Sequence, residues 1–279
     1  MDPQKVKKKV IKDLSTYIPE IRDEDNPFSL KRLTSKKNIV FELDFKVKPK
    51  KFPKVVILKL FRTEFAEKEY NALTKLGKQD IAVPKVLYFN KPYILLEKLN
   101  GVNLCDLIND NLIKVTSLDE LDAKMRNKII QSVKSLAEWI ANLHKQNIID
   151  NNDPSQIIVF NKGDTRLRDF IYDTSKKQIN GIDFEESYEG NHHDDLAWIC
   201  CSFIDTNPGL FQMLEPTHKI ELINLFLKEY FRINKEFEFS FEYFAERLIE
   251  YLNIVIERRS LEFGPVSKNS ILKNIFKDY

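Results

Sequence analysis

Cysteine is scarce in this chain, with three in 279 residues. Cys200 and Cys201 are adjacent and Cys105 lies far from both, a spacing that supports neither a disulfide framework nor a metal-ligand set. Adjacent cysteines in an apolar run are expected in a core. An excess of one charge is also missing: 44 Lys and Arg offset 42 Asp and Glu, leaving a formal charge of +2. Bulk electrostatics therefore call for neither nucleic acid nor a membrane surface as partner. No apolar run approaches the roughly 20 residues a bilayer span needs, and no signal peptide is evident. The expectation is a reduced, soluble, cytoplasmic protein without internal repeats or a low-complexity linker. Its length admits one large domain or two lobes with a buried core.

The character of the chain changes once, near residue 100. Before it, "PFSLKRLT", "NIVFELDFKV" and "KVVILKLF" are rich in β-branched and aromatic residues and separated by polar breaks. "TEFAEKEYNALTKLG" has helical spacing, with Gly77 as its expected C-cap. "VPKVLYFN" and "PYILLEKL" read as two further strands. The basic opening "KVKKKVIK" reads as a solvated first helix or a frayed terminus, with an anionic contact as the other reading. After Gly101 the pattern is helical: Ile129, Val133, Leu136, Ala137, Ile140 and Leu143 form one apolar stripe, and Phe244, Leu248, Tyr251, Leu252 and Val255 another. A single hairpin, "DFIYDTSKKQINGIDF", interrupts the helices. The fold class is α+β: a small antiparallel five-stranded lobe with one helix over residues 1–100, then a larger, mainly helical lobe over 101–279. A cleft between two such lobes is a natural small-molecule site.

The charged residues on this scaffold carry the chemistry. Lys59 lies inside the apolar strand "VVILKLF", facing either water or the cleft; if it faces the cleft it needs an anion, and Glu69 is the obvious partner. "ILLEKLNG" ends a strand at Glu97, where extended backbone can meet a flat heteroaromatic base or simply end. "GDTRLRDF" and "GIDFEE" weigh more. If the hairpin forms, Asp169 at its start and Asp183 at its end lie side by side. Two converging carboxylates are costly without a cation, and hard oxygen ligands suit Mg²⁺. Asp164, a short loop away, can accept a proton from an attacking hydroxyl. Arg166 and Arg168 either offset phosphate charge or face water.

The order of these pieces is strand lysine, helix glutamate, interlobe strand, "GD…D" loop, "IDFE" and then "DDLA". It resembles the aminoglycoside phosphotransferase/choline kinase-like family of the protein-kinase-like fold, over roughly Leu33 to Phe211. The resemblance implies ATP as phosphoryl donor, Mg²⁺ (or Mn²⁺) as the ion and a small-molecule hydroxyl as acceptor. It implies Asp164 as catalytic base and Asp183 as principal metal ligand, with Asp169 where the family has Asn; Arg166 is expected beside Asp164 as a catalytic residue that neutralises charge developing on the phosphates. Lys59, paired with Glu69, would contact phosphates, and the backbone of Glu97 to Leu99 would hold adenine. "SKKNIVF" falls where the phosphate-covering hairpin belongs but has no glycine, leaving Ser35 and Asn38 to approach phosphates. Asp195 would cap its helix and brace the catalytic loop. Lys162 stands where the family has His.

A rival loop upstream, "DNNDPSQII", would put neutral Asn151 and Gln156 at the base and metal positions, so "PSQIIVF" is expected to be only the strand leading into the real loop. Glu185, Glu186, Glu189, Asp194 and Asp195 make the following stretch acidic, compatible with a cationic acceptor or with a solvated loop. His192 and His193 are expected to be exposed, with metal binding as the other reading. Two other functions stay open: an atypical protein serine/threonine kinase, and a nucleotide-binding pseudokinase, the latter motivated by Lys162 and Asp169. Oligomeric state is not legible.

Overall fold

A computed structural model describes residues 3–21, 27–35, 37–206 and 217–260. Expectations for 207–211, at the end of the resemblance, and for the segment after 260 lie outside the described residues. The chain divides into two compact units: Met1–Lys78 with Val83–Leu99, and Gln79–Ala82 with Asn100–Tyr279.

The first unit opens with helix α1 (Pro3–Leu14) and continues through β1 (Phe28–Leu33), β2 (Ile39–Phe45), β3 (Val55–Leu60), helix α2 (Ala66–Lys78), β4 (Val86–Asn90) and β5 (Tyr93–Glu97). The strands form one antiparallel sheet in the order β1-β2-β3-β5-β4. Alternation drives it: Ile39, Phe41, Leu43 and Phe45 are buried on one face of β2 while the residues between them are half-buried. The unit has two helices among the described residues, where one was expected. Val6, Val10 and Leu14, four apart, put one face of α1 into the same core as Phe28, Phe45 and Val56, and the lysines take the other face. Gly77 falls inside the last turn of α2, and the left-handed residue beyond it is Asp80 (φ 55°).

The second unit contains β6 (Val102–Asn103), α3 (Leu104–Leu112), α4 (Ala123–Gln146), β7 (Ile148–Asp150), β8 (Ile158–Asn161), β9 (Phe170–Asp173), β10 (Gln178–Gly181), β11 (Tyr188–Asn191), α5 (His193–Asp205), α6 (Thr217–Ile233) and α7 (Phe241–Arg259). Asp122 caps α4, accepting a hydrogen bond from Met125 N at 2.9 Å. The predicted stripe of α4 is buried, and α4 packs on α6 as α5 packs on α7. Cys200 and Cys201 are buried in α5. The single expected hairpin becomes two three-stranded sheets, β10-β9-β6 and β11-β8-β7. Both are short, and both deliver their ends to one loop.

Candidate active site

Strand β8 is held on both sides, by β7 and β11, and ends at Asn161. The chain then turns sharply through Gly163 (φ 73°) and Asp164 (φ 42°). A Cβ on Gly163 would sit 2.3 Å from the Glu186 carbonyl oxygen, so only glycine fits there. Asp195, buried in the first turn of α5, grips this turn. Its Oδ2 accepts from Lys162 N at 2.7 Å, its Oδ1 accepts from Gly163 N at 3.0 Å, and Thr165 Oγ1 donates to Oδ1 as well. His144 Nε2 lies 3.2 Å from Oδ2, and Tyr230 OH completes the chain at 2.8 Å from His144 Nδ1. Burial opposes the charge on Asp195, but the bonds from His144, Thr165 and Lys162 N outweigh it and hold the carboxyl below its ordinary value. Of the two parts expected of Asp195, the cap is corrected: its oxygens brace the loop, and α5 begins at His193 with His192 as an N-cap that makes no side-chain bond.

The hairpin end brings the two predicted metal ligands together. Phe170 faces Gly181 in the β9–β10 register, and Ile182 N donates to Asp169 O at 2.9 Å, so Asp169 and Asp183 end adjacent strands. Burial raises the Asp169 pKa; Lys162 opposes this and the nearby charge of Asp183 adds to it. Asp183 has φ 66°, so the proposed base and the proposed principal ligand both sit in left-handed backbone that non-glycine residues adopt at a cost. The donor set is two hard carboxylates, Asp169 buried and Asp183 half-buried, that repel each other, which fits Mg²⁺ or Mn²⁺. Lys162 is fully buried; its Nζ donates to Asp183 O at 2.9 Å and lies 3.7 Å from Asp169 Oδ2.

Arg166 ties the two halves of the site. Its backbone N donates to Asp169 Oδ2 at 3.2 Å, and its side-chain Nε donates to Asp164 Oδ1 at 2.9 Å. Its guanidinium lies over the Trp198 ring, 5.2 Å from the centroid. A second arginine, marked by no local pattern, reaches Asp164 from the end of α7: Arg258 Nη1 is 3.5 Å from Oδ1. Beside them Arg259 pairs with Asp205 at 2.6 Å. Burial raises the Asp205 pKa, and the charges of Arg259, Arg166, Lys219 and Arg168 all oppose that shift. Arginines thus crowd the neighbourhood of Asp164.

In the first unit Lys59 and Glu69 are both buried and pair at 2.5 Å. Glu69 is the partner because it shares the inward face of α2 with Ala66, Leu73 and Leu76, whereas Glu67 pairs with Lys91 at the surface. Ser35 Oγ accepts from Asn38 N at 3.3 Å, and the buried Asn38 accepts from Arg62 N at 3.3 Å. These bonds pin the β1–β2 turn. Glu97 N donates to Lys85 O at 2.9 Å, so that N–H is committed to the sheet, and a base held at Glu97 to Leu99 would have to use the other backbone groups.

Two expectations fail here. His192 and His193 are wholly buried rather than exposed. His193 uses both ring nitrogens, Nδ1 at 2.8 Å from Asn191 Oδ1 and Nε2 accepting from Ser240 N at 2.9 Å, which leaves none for a metal. Nor is the stretch after the hairpin a continuous acidic surface. Glu185, Asp194 and Asp195 are buried, and Asp194 is committed to Tyr188, Tyr243 and Arg247.

Comparison with known proteins agrees with this architecture. The family model of the RIO domain matches residues 34–158, a little under half of the chain, and stops before Asp164. No curated protein matches the sequence. Among solved structures, an aminoglycoside-3'-phosphotransferase of type VIII is 14% identical, covering 84% of this chain and 97% of its own, with a TM-score of 0.56. The choline kinase LicA from Streptococcus pneumoniae is 13% identical over 93% of each chain, with a TM-score of 0.55. The amicoumacin kinase hAmiN, in complex with AMP-PNP, Ca²⁺ and Ami, is 12% identical over 99% of this chain and 92% of its own, with a TM-score of 0.55. These likenesses show the fold: the chain shares the protein-kinase-like architecture of these structures.

Proposed function

We propose that this protein is a phosphotransferase that moves the γ-phosphoryl group of ATP to the hydroxyl of a small molecule. The observation that carries the reading is the grip of Asp195 on Lys162, Gly163 and Thr165, which holds Asp164 at the mouth of a loop whose far end is the Asp169–Asp183 pair. Phosphoryl transfer asks a protein mainly for positioning and charge. Asp164 orients the acceptor hydroxyl and takes its proton, and Arg166 fixes the carboxylate that does so. Asp183 and Asp169 would hold Mg²⁺ or Mn²⁺, which supplies neutralisation of phosphate charge when bound. Lys59, kept in place by Glu69, offers its ammonium to phosphates, with Ser35 and Asn38 shaping the turn that covers them. The backbone at Glu97 and Leu99 holds the adenine.

The surroundings of Asp164 bear on the acceptor. Arg166 and Arg258 flank the base, and Arg259 and Arg168 stand near Asp205, while of the acidic residues that suggested a cationic acceptor Asp194 and Asp195 are buried and committed, Glu185 is buried, and Glu186 and Glu189 are exposed. This supports a hydroxyl compound bearing a carboxylate or phosphate over one bearing an amine. The RIO-domain match favours a second reading, a protein kinase of atypical kind.

The test is ATP consumption by the purified protein with Mg²⁺ or Mn²⁺ against hydroxy acids, sugar phosphates, amino alcohols and generic protein substrates. Turnover with a small molecule supports the first reading, and a phosphorylated protein supports the second. ATP binding without turnover on any substrate would leave a pseudokinase. Asp164→Ala is expected to lower turnover about 10²–10⁴-fold with ATP affinity nearly unchanged; a fully active variant would remove Asp164 from its role.

A further inference from the structure

The two places where the loop departs from the family pattern are in contact with each other. Lys162 replaces a histidine and Asp169 an asparagine, and the Lys162 ammonium lies 3.7 Å from Asp169 Oδ2. An imidazole beside a carboxamide can be neutral as a pair. An ammonium beside a carboxylate is also neutral as a pair, so the exchange conserves charge where either change alone would not. Burial makes that conservation matter. Lys162 is fully buried, with its Nζ 5.7 Å and 5.5 Å from the centroids of the Phe170 and Phe184 rings, and Asp169 is 8% exposed. A charge enclosed in this way is tolerated only with a counter-charge and hydrogen bonds. The remaining bond of the ammonium, to Asp183 O at 2.9 Å, ties the same lysine to the other metal ligand.

The oxygens of Asp169 are correspondingly divided. Oδ2 faces Lys162 Nζ and accepts from Arg166 N at 3.2 Å; among the described residues Oδ1 has the longer approach of Arg168 Nε, at 3.8 Å. In kinases of this general fold the loop asparagine serves a second divalent ion. Here the place beside Oδ2 is held by a fixed cation of the protein itself. We infer that Lys162 and Asp169 form one exchanged unit in which the ammonium stands in for a second divalent ion, so that the site takes a single divalent cation per bound nucleotide. The inference rests on the phosphotransferase reading for its nucleotide, and on the contact alone for the pairing.

Counting ions tests it directly. With the full-length protein saturated by the non-hydrolysable analogue AMP-PNP, bound Mn²⁺ is measured by electron paramagnetic resonance or equilibrium dialysis. One tightly bound Mn²⁺ per nucleotide is expected for the natural sequence, and two for the double variant Lys162→His with Asp169→Asn. Two in the natural sequence, or one in both proteins, overturns the proposal. A second measurement needs no nucleotide. The thermal midpoints of Lys162→His, Asp169→Asn and the double variant form a cycle in which each single change should lower the midpoint by on the order of 10 °C. The double variant should recover at least half of the summed loss. Strictly additive losses would show that the two residues do not act as a unit. If either single variant fails to fold, the comparison of the natural sequence with the double variant still decides the count. Failure to bind AMP-PNP at all would refute the phosphotransferase reading, while the thermal cycle would still test the pairing.

Discussion

Asp164 is a carboxylate that two arginines approach, one from its own loop and one from a distant helix. Arg166 binds it from two residues away and Arg258 from the last turn of α7. Arg166 is mostly buried and stacked on Trp198, so its geometry is fixed; Arg258 is about half exposed, where an incoming ligand can reach it. The two should separate in kinetics. Arg258→Gln is expected to raise KM for an anionic acceptor about 3–5-fold, the scale of an exposed ion pair, with KM for ATP unchanged. A variant that prefers the natural acceptor more strongly would point to a cationic compound instead. At this scale the sequence was legible where chemistry is local. Asp164, Asp169 and Asp183 announce themselves by residue type and spacing, and Glu69 by its place on one helix face. Arg258 was not legible, because a pair formed across more than ninety positions leaves no local pattern. The commitment of Lys162 to Asp183 O and Asp169 was hidden for the same reason: it exists only after the hairpin has folded back.

Among elements, the strands of the first sheet were readable because each carries its alternation or apolar run within itself. The short strands of the second unit do not. β7 is exposed throughout and β11 reads "YEGN"; both are strands only because β8 supplies partners for their backbone groups. Helix α1 is a different case. Its lysines suggested a solvated or frayed segment, yet Val6, Val10 and Leu14 place it on the sheet, and Asp13 accepts from Tyr93 OH at 3.1 Å and Asn90 Nδ2 at 3.2 Å. Docking predicts a cost for truncating its apolar face. Leu14→Ala, at a fully buried position, is expected to destabilise the protein by about 2–5 kcal/mol in urea unfolding. A frayed helix would lose less than about 0.5 kcal/mol, the range of surface substitutions.

For the molecule as a whole, the buried histidines set how stability responds to acid. Burial is the main cause that depresses both: His192 to about 2, helped by neighbouring His193 and His144, and His193 to about 3, helped by His144. The bonding of His193 agrees, since a proton on Nε2 would confront the N–H of Ser240 that now donates to it. Their burial was not legible beside Asn191 and Asp194, because the enclosing rings of Tyr230, Phe231, Phe237 and Phe239 come from residues distant in sequence. The sign follows from the depressed values. The unfolded chain binds a proton at each ring near pH 6.5 and the folded chain does not, so this stability is complete above pH 6.5 and is lost as pH falls toward 3. With both rings protonated only when unfolded, the loss is about 2.7 kcal/mol per pH unit below roughly pH 5.5. Asp169 and Asp205, whose pKa values are raised, act in the opposite direction, while Asp195, held low, adds to the loss at still lower pH. By pH 4 the two histidines together would cost about 7 kcal/mol, a large share of a typical total stability of about 5–15 kcal/mol. Urea midpoints measured from pH 7.5 to 5 should be flat above about pH 7 and then fall steeply. His192→Phe supplies the control, since a phenyl ring suits the stack on Tyr230 and gives up only the long contact of Nδ1 with Ile157 O, at 3.4 Å, while Nε2 has no hydrogen-bond partner among the described residues. That variant should show about half the slope between pH 6 and 5, and an unchanged slope would mean that His192 is not one of the groups that take up the protons.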